Sequence, residues 1–213
     1  MAPVARELAE KRGVLEPLQT KDSIEALIGE LKLVLEEEAS GPAVLIGHSW
    51  GAWLGFLFAA RHPALVQRLV LVSSGPFEEK YASRIMASRL KRLSEQEQKE
   101  VHLLQKGMKD PDQFARLGEL MSRADFYDPL PMKTEGVELR PDLFQRVWGE
   151  ASELRKSGKL LRKAGEIKCP VTAIHGDHDP HPAEGVEKPL AAALNGFKFI
   201  LLEKCGHIPW MEK

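Results

Sequence analysis

The sequence predicts an α/β fold: a mostly parallel sheet with flanking helices and an inserted all-helical segment. Short apolar runs suited to buried strands alternate with helical patterns in the first third of the chain. A long, charged, helix-favouring stretch interrupts this alternation, which then resumes near the end of the chain. With 213 residues, 43% of them hydrophobic, the chain is long enough to bury one main core.

The first elements are identified from their periodicity. Residues 3–12 are typical of a short helix with a proline in its first turn, and 14–19 are compatible with a strand. From 21 to 38, apolar residues recur every three or four positions, which predicts a helix with one buried face. A Gly-Pro pair ends this helix.

The next segment predicts a strand, a sharp turn and a buried helix. Residues 43–46 form a short apolar run, and residues 50–60 form a longer one. Residues 68–73 predict another buried strand, closed by a Ser-Gly-Pro turn. Strands that alternate with helices are typical of a parallel sheet.

The composition changes after this strand. Ser94 and Glu97 have the S-x-x-E spacing in which a serine caps a helix and the glutamate reaches back, so a helix is predicted to begin there. The strand pattern resumes at 170–175 and 197–202, with a helix around 187–195 between them.

These patterns define the expected domain organisation. Residues 1–75 and 166–213 form the two parts of one core, and residues 76–165 form a helical insertion between them.

The strongest motif is Gly47-His48-Ser49-Trp50-Gly51, which matches G-x-S-x-G between a predicted strand and a predicted helix. A serine at such a turn is held in strained geometry with its hydroxyl exposed, and the helix that follows favours negative charge at its N-terminus. The pattern predicts Ser49 as a nucleophile and the backbone N–H of Trp50 as an oxyanion donor. The alternative is a glycine-rich turn with an incidental serine, which the flanking elements disfavour.

A serine nucleophile needs a base to accept its proton and an acid to orient the base. Asp179 and His207 follow in the required order, each just past the end of a predicted strand, where parallel sheets place their sites. Asp177 stands two residues before Asp179, and chemistry alone does not separate the two acids.

Three segments carry a family resemblance: GHSWGAW at 47–53, PVTAIHGDHD at 170–179 and CGHIPW at 205–210. In these segments the chain resembles the α/β-hydrolase superfamily, specifically helical-capped members near proline iminopeptidases and related esterases. The resemblance covers nearly the whole chain. It implies Asp179, three residues after the glycine, as the acid, and it implies that about 77–165 form a cap over the site.

Two features depart from the family pattern. Family members usually begin with further strands, one of them followed by a His-Gly loop that supplies half of the oxyanion hole, and no such loop precedes Ser49. The chain also ends six residues after His207, where a final helix would normally pack. We therefore expect a hydrolase truncated at both ends, weakly active and prone to self-association through an unpaired sheet edge.

Three residues are further candidates for substrate contact. His48 lies beside the nucleophile and either contacts substrate or fills space under the cap. Glu150 and Glu153 would bind a substrate amino group, as cap glutamates do in aminopeptidases that the chain resembles. The favoured alternative makes them surface carboxylates paired with Arg155 and Lys156.

A cluster of His and Asp side chains raises the question of a metal site. The cluster comprises His175, His178 and His181 with Asp177 and Asp179. A zinc site needs convergent geometry, and no second cluster of ligands occurs elsewhere in the sequence, so we expect no metal.

The overall charge and hydropathy limit the partners. Lys plus Arg (30) nearly balance Asp plus Glu (31), so no nucleic-acid partner is expected. No apolar run reaches the ~20 residues needed to span a bilayer, and the charged N-terminus lacks a secretory signal, so we expect a cytoplasmic address. The two cysteines are expected to be free thiols.

Together these features predict a serine hydrolase that cleaves a carboxylic ester or amide of a small molecule through an acyl-enzyme, without metal or organic cofactor. The alternative is a non-catalytic binding or scaffold protein that keeps the hydrolase fold. The absent oxyanion loop favours this alternative.

Overall fold

The computed structural model describes residues 1–105, 110–130 and 141–213. Four strands of these residues form one parallel sheet, with the strands in chain order. They are β1 (Ala43–His48), β2 (Val66–Val72), β3 (Val171–Gly176) and β4 (Lys198–Leu202). The sequence prediction of an α/β fold with a parallel sheet is confirmed.

Helices flank this sheet, and further helices lie in the described parts of the segment between β2 and β3. In the described residues they are α1 (Ala2–Ala9), α2 (Ile24–Glu38), α3 (Trp50–Arg61), α4 (Glu79–Ala82), α5 (Ile85–Leu90), α6 (Glu95–Leu104), α7 (Pro111–Asp125), α8 (Pro141–Lys156), α9 (Lys159–Arg162) and α10 (Glu184–Ala193). None of them is both long and apolar enough to cross a membrane.

One predicted element is wrong. Residues 14–19 are not a strand: they have no regular structure, and the side chain of Leu18 is 82% exposed. Within this segment Pro17 has no N–H to donate to a sheet ladder. The outer strand β1 pairs with β2. Among the described residues, no strand lies beside this segment to pair with it.

Helix α3 forms the centre of the core. It is apolar on all sides, which is typical of a fully enclosed helix. Its side chains Trp53, Phe56 and Phe58 are at most 1% exposed, and it packs on β1 and β2. Burial of each such side chain contributes about 1.5–3 kcal/mol of transfer free energy. This packing fixes the first turn of α3 against the end of β1.

The two faces of the sheet are covered unequally. Leu69 and Leu71 of β2 point toward α3 and are fully buried. Val44 and Ile200 alternate to the opposite face, on the two outer strands, and are 42% and 46% exposed.

The helical segment between β2 and β3 has its own small core and also extends the main one. Leu93, Val101 and Leu120 pack together with Ala124 where α6 and α7 meet, whereas α8 and α9 contribute side chains to the main core. The predicted capping box is confirmed: Ser94 Oγ accepts from the N–H of Glu97, and the Glu97 carboxylate accepts from the N–H of Ser94.

Candidate active site

Ser49 occupies a strained turn between β1 and α3. Its φ is 54° and its ψ is −119°, a left-handed conformation that costs a non-glycine residue about 1–3 kcal/mol. The N–H of Ser49 donates to the carbonyl oxygen of Val72 on the neighbouring strand at 3.0 Å. A Cβ atom at Gly47 would stand 2.2 Å from the carbonyl oxygen of Gly51, so only glycine allows this close approach.

The structure brings Ser49, His207 and Asp179 together at the carboxyl end of the sheet. The Nε2 atom of His207 is 3.0 Å from the Oγ of Ser49. The Nδ1 atom of His207 is 2.8 Å from the Oδ2 of Asp179. Asp179 is 6% exposed and His207 is 7% exposed. The three side chains form one continuous line of hydrogen bonds.

The charge of Asp179 fixes the tautomer of His207. Burial by itself would raise the pKa of Asp179, but the electrostatic attraction to the His207 ring and the hydrogen bonds from His181 and His207 outweigh it. The pKa of this carboxyl therefore lies well below its usual range. Because an ionised carboxylate only accepts hydrogen bonds, Nδ1 of His207 carries the proton and Nε2 is free to accept one from Ser49.

The main chain of His207 is also hydrogen-bonded. Its N–H donates to the carbonyl oxygen of Asp125, the last residue of α7, at 2.8 Å. Arg89 of α5 binds the carboxylate of Asp125 with two hydrogen bonds of 2.6 and 2.7 Å. A Cβ atom at Gly206 would stand 2.0 Å from the same carbonyl oxygen. The helical segment therefore contacts the candidate base directly.

His48 is engaged with His207. Its Nε2 lies 2.8 Å from the main-chain oxygen of His207, and its ring packs edge-on against Trp210 with centroids 4.7 Å apart. Burial, assisted by the nearby His207, lowers the pKa of His48 to about 4. His48 is therefore a neutral donor that holds the loop of His207, which favours a structural role over the expected contact with substrate.

Asp177 and Asp179 have different partners. The Oδ1 of Asp177 accepts from the main-chain N–H of Cys205 at 3.2 Å, whereas Asp179 contacts His207. The geometry therefore favours Asp179 as the orienting acid.

The expected His and Asp cluster is only partly assembled. One ligand atom from each of Asp179, His181 and His207 lies within 4.8 Å of the others. The Nδ1 atoms of His181 and His207 each lie 2.8 Å from a carboxylate oxygen of Asp179. The carboxylate of Asp179 is thus hydrogen-bonded to both histidines.

Glu150 and Glu153 contact other groups of the protein, away from Ser49. Glu150 accepts from the N–H of Ile24 at 2.9 Å, which satisfies a free donor at the start of α2, and Glu153 pairs with Lys156 at 3.2 Å. Both line a cavity of about 660 Å³ whose lining includes none of Ser49, Asp179 and His207. The expected role in binding a substrate amine is not supported. Arg155, the other expected partner, pairs instead with Glu79 at 2.8 Å.

Trp50 begins α3, where helix geometry leaves the N–H without an intrahelical acceptor. The position is the one from which the sequence predicted an oxyanion donor. Its indole Nε1 donates to the side chain of Gln19 at 2.9 Å.

Sequence reasoning missed two contributors to the site. Asp125 contributes a main-chain carbonyl oxygen, which leaves no signature in the sequence. His181 bonds Asp179, and its position two residues after the candidate acid was a signal that could have been used.

The fold and this constellation define an α/β hydrolase. The model of the alpha/beta hydrolase family matches residues 12–213, so the chain belongs to this family. The membership and its relatives support hydrolase activity in general.

Among characterised proteins, the chain is similar to proline iminopeptidases. That of Lactobacillus crispatus (strain ST1) is 28% identical over 204 residues, which are 89% of this chain and 67% of the relative. That of Heyndrickxia coagulans is 27% identical over 184 residues, 79% of this chain and 62% of the relative. The chain thus spans about two thirds of the length of these relatives.

Solved structures show the same fold. VinJ is 22% identical with a TM-score of 0.61, over 90% of this chain and 68% of that chain. The proline iminopeptidase of Mycobacterium smegmatis is 18% identical with a TM-score of 0.55, over 87% of this chain and 65% of that chain.

Proposed function

We propose that the protein is a serine hydrolase that cleaves a carboxylic ester or amide of a small molecule through an acyl-enzyme. The observation that carries this proposal is the unbroken line of hydrogen bonds from Ser49 through His207 to Asp179, which begins at a strained turn. A hydroxyl in contact with a neutral imidazole, which is itself oriented by a buried carboxylate, is the arrangement that activates a serine.

In the first half of the proposed reaction, the Oγ of Ser49 attacks the substrate carbonyl carbon while its proton passes to Nε2 of His207. The C–O bond to Ser49 forms, and the carbonyl π electrons move to oxygen. When the tetrahedral intermediate collapses, the bond to the leaving group breaks, and His207 returns the proton to the departing oxygen or nitrogen. The product is an acyl ester on Ser49.

In the second half, water takes the place of the leaving group. His207 accepts a proton from water, whose oxygen attacks the acyl carbon, and then returns the proton to Ser49 as the acid product departs. Asp179 stays ionised and stabilises the imidazolium that forms in both halves. The helix N-terminus at Trp50 favours the oxyanion, and one such donor is typically worth about 10²–10³ in rate.

The proposed role of residues 76–165 is that of a cap attached to the candidate base. Two contacts support it: the N–H of His207 donates to Asp125, and the N–H of Leu130 donates to the carbonyl oxygen of Met211 at 2.7 Å. Movement of the helical segment would therefore change the position of His207.

The names of the relatives make amide cleavage next to proline the first substrate class to test. The engagement of Glu150 and Glu153 elsewhere argues against an amine site at those residues. Proline 4-nitroanilide and 4-nitrophenyl acetate separate an amide substrate from an ester substrate. Faster turnover of the ester alone would assign the protein to the esterases.

Labelling with a fluorophosphonate probe distinguishes this proposal from a non-catalytic scaffold, because the probe reacts only with an activated serine. We expect the natural protein to be labelled and Ser49→Ala to remain unlabelled. Ser83→Ala is the control, since its hydroxyl lies on the exposed surface and donates to a backbone carbonyl. Absence of labelling in the natural protein would favour the scaffold, and labelling of Ser49→Ala would exclude Ser49 as the nucleophile.

A further inference from the structure

We propose that His181 is a positioning residue that shares the carboxylate of Asp179 with the base. The two oxygens of Asp179 are divided between two histidines. Oδ2 lies 2.8 Å from Nδ1 of His207, and Oδ1 lies 2.8 Å from Nδ1 of His181. Oδ1 also accepts from the main-chain N–H of His181 at 2.9 Å. This inference rests on the proposed function of Ser49 and His207.

The position of His181 is itself fixed. Its side chain is 7% exposed, and proline residues precede and follow it, which restricts the backbone on both sides. Its carbonyl oxygen lies 2.8 Å from Nε2 of His175, a fully buried residue of β3. Strand β3 therefore fixes the position of His181 through His175, and His181 in turn binds Oδ1 of Asp179.

His181 and His207 adopt the same tautomer beside the same acceptor. Because Oδ1 of Asp179 only accepts, Nδ1 of His181 donates. Burial lowers the pKa of His181 more than the attraction of Asp179 raises it, so the ring is neutral. Its centroid lies 4.4 Å from that of His207, with 30° between the rings. A neutral neighbour matters because His207 becomes a cation during the reaction, and a second cation there would oppose it.

The charged and titratable groups around this pair come from several elements. Those that act on Asp179 or His181 are His207, Arg89 and Arg92, and the groups next to them are His48, His175 and Asp125. Among the described contacts, His181 and His207 are the two imidazoles within 3.0 Å of the carboxylate oxygens of Asp179.

Two consequences follow for the reaction. First, the bonds to Oδ1 prevent rotation of the carboxylate, so Oδ2 stays in line with His207. Second, a donor on Oδ1 withdraws part of the negative charge that Asp179 offers to protonated His207. Removal of the donor should disturb the geometry and, independently, favour protonation of His207 at a higher pH.

The experiment compares His181→Leu, which keeps the volume and removes the donor, with His181→Asn, whose Nδ2 can occupy the position of the imidazole Nδ1. His62→Leu, at the far end of α3, controls for the loss of an imidazole. For each protein we would measure fluorophosphonate inactivation of Ser49 as kinact and KI from pH 5 to 9, with EDTA present to exclude any metal, together with the melting temperature.

We expect His181→Leu to lower kinact about 10- to 100-fold, by analogy with the loss of a hydrogen-bond partner that orients a metal-binding histidine. KI should stay within about twofold, and the acidic limb of the pH profile should move to higher pH. His181→Asn should recover most of kinact and return the limb toward that of the natural protein.

Two results would overturn the proposal. One is a His181→Leu protein with unchanged kinact and pH profile. The other is equal loss in both His181 variants in step with melting temperature and with no shift of the acidic limb, which would indicate packing alone. Failure of the proposed function is recognised separately, because the natural protein would then not react with the probe.

Discussion

Nε2 of His48 lies 2.8 Å from the main-chain carbonyl oxygen of His207 and donates a hydrogen bond to it. The two residues follow from opposite edges of the sheet, since His48 ends β1 and His207 follows β4. Three strand spacings separate these edges, about 14 Å. The loop after β4 must therefore cross the carboxyl edge of the sheet for His207 to reach Ser49, and His48 holds the loop in the crossed position.

Removal of this hydrogen bond should weaken activity more than stability. His48→Phe retains a ring of similar size but no donor. We expect labelling of Ser49 to slow about fivefold, because His207 loses a hydrogen bond with a net value near 1 kcal/mol. His48→Gln, whose amide can reach the position of Nε2, should recover most of the rate. Equal labelling of the natural protein and His48→Phe would show that the anchor is dispensable.

The low pKa of His48 predicts acid sensitivity. The ordinary value of 6.5 applies in the unfolded chain, and the folded value is about 4, so between these values the unfolded state binds more protons. Stability should therefore fall as the pH decreases from about 6.5 to about 4, by at most about 3 kcal/mol from this group.

Urea unfolding at pH 7 and pH 5 measures this effect. The natural protein should lose more stability between the two pH values than His48→Gln, which cannot titrate. An equal loss in both proteins would mean that other groups dominate the acid sensitivity.

The two neighbouring acids should differ in their effect on turnover. Asp179→Asn leaves His207 without its acceptor and in the wrong tautomer, which costs up to about 10⁴ in rate in such triads. Asp177→Asn should cost little, since its carboxylate accepts from the backbone N–H groups of Lys204 and Cys205 and not from His207. Hydrolysis of 4-nitrophenyl acetate by both variants decides the assignment, and a larger loss in Asp177→Asn would reverse it.

The four strands of the sheet, helix α3 and the hydrogen-bonded residues Ser49, His207 and Asp179 could be predicted from the sequence. Periodicity and residue type carry that information. Ser49 is flagged by its glycines and by the elements on either side, and Asp179 and His207 by their places after strands. The same reasoning failed where the structure of a segment, or the role of a side chain, depends on which residues it contacts in the fold. Val14, Leu15 and Leu18 make residues 14–19 apolar enough for a strand, but no strand of the described residues pairs with them. Glu150 was expected to bind a substrate amine, whereas its carboxylate accepts from the N–H of Ile24 at the start of α2.

The helical segment should influence the base through Arg89 and Asp125. Their ion pair is largely buried, with side chains 18% and 8% exposed. Arg89→Met leaves the carboxylate of Asp125 buried without its partner, a change that costs about 3–5 kcal/mol in comparable pairs. We expect a lower melting temperature and slower labelling of Ser49, because Asp125 also accepts from the N–H of His207.

The double variant Arg89→Met/Asp125→Leu is the matched control. It removes both charges while keeping the main-chain carbonyl, so it should recover much of the stability and of the labelling rate. A double variant no better than Arg89→Met would argue that the ion pair acts by some means other than the burial of Asp125.

Self-association should depend on the partly covered face of the sheet. Val44 and Ile200 lie on the outer strands with side chains 42% and 46% exposed, and both point away from α3. Exposed apolar side chains on sheet edges promote association between chains.

Val44→Thr/Ile200→Thr keeps β-branched side chains and adds hydroxyls, so the strands should persist while the face becomes polar. Light scattering coupled to size-exclusion chromatography should show a smaller average mass for this double variant than for the natural protein at equal concentration. Leu33→Gln/Leu103→Gln, on exposed positions of α2 and α6, is the control for a general loss of surface apolarity. A monomeric natural protein, or an equal decrease in mass in the helix control, would contradict the role of the sheet face.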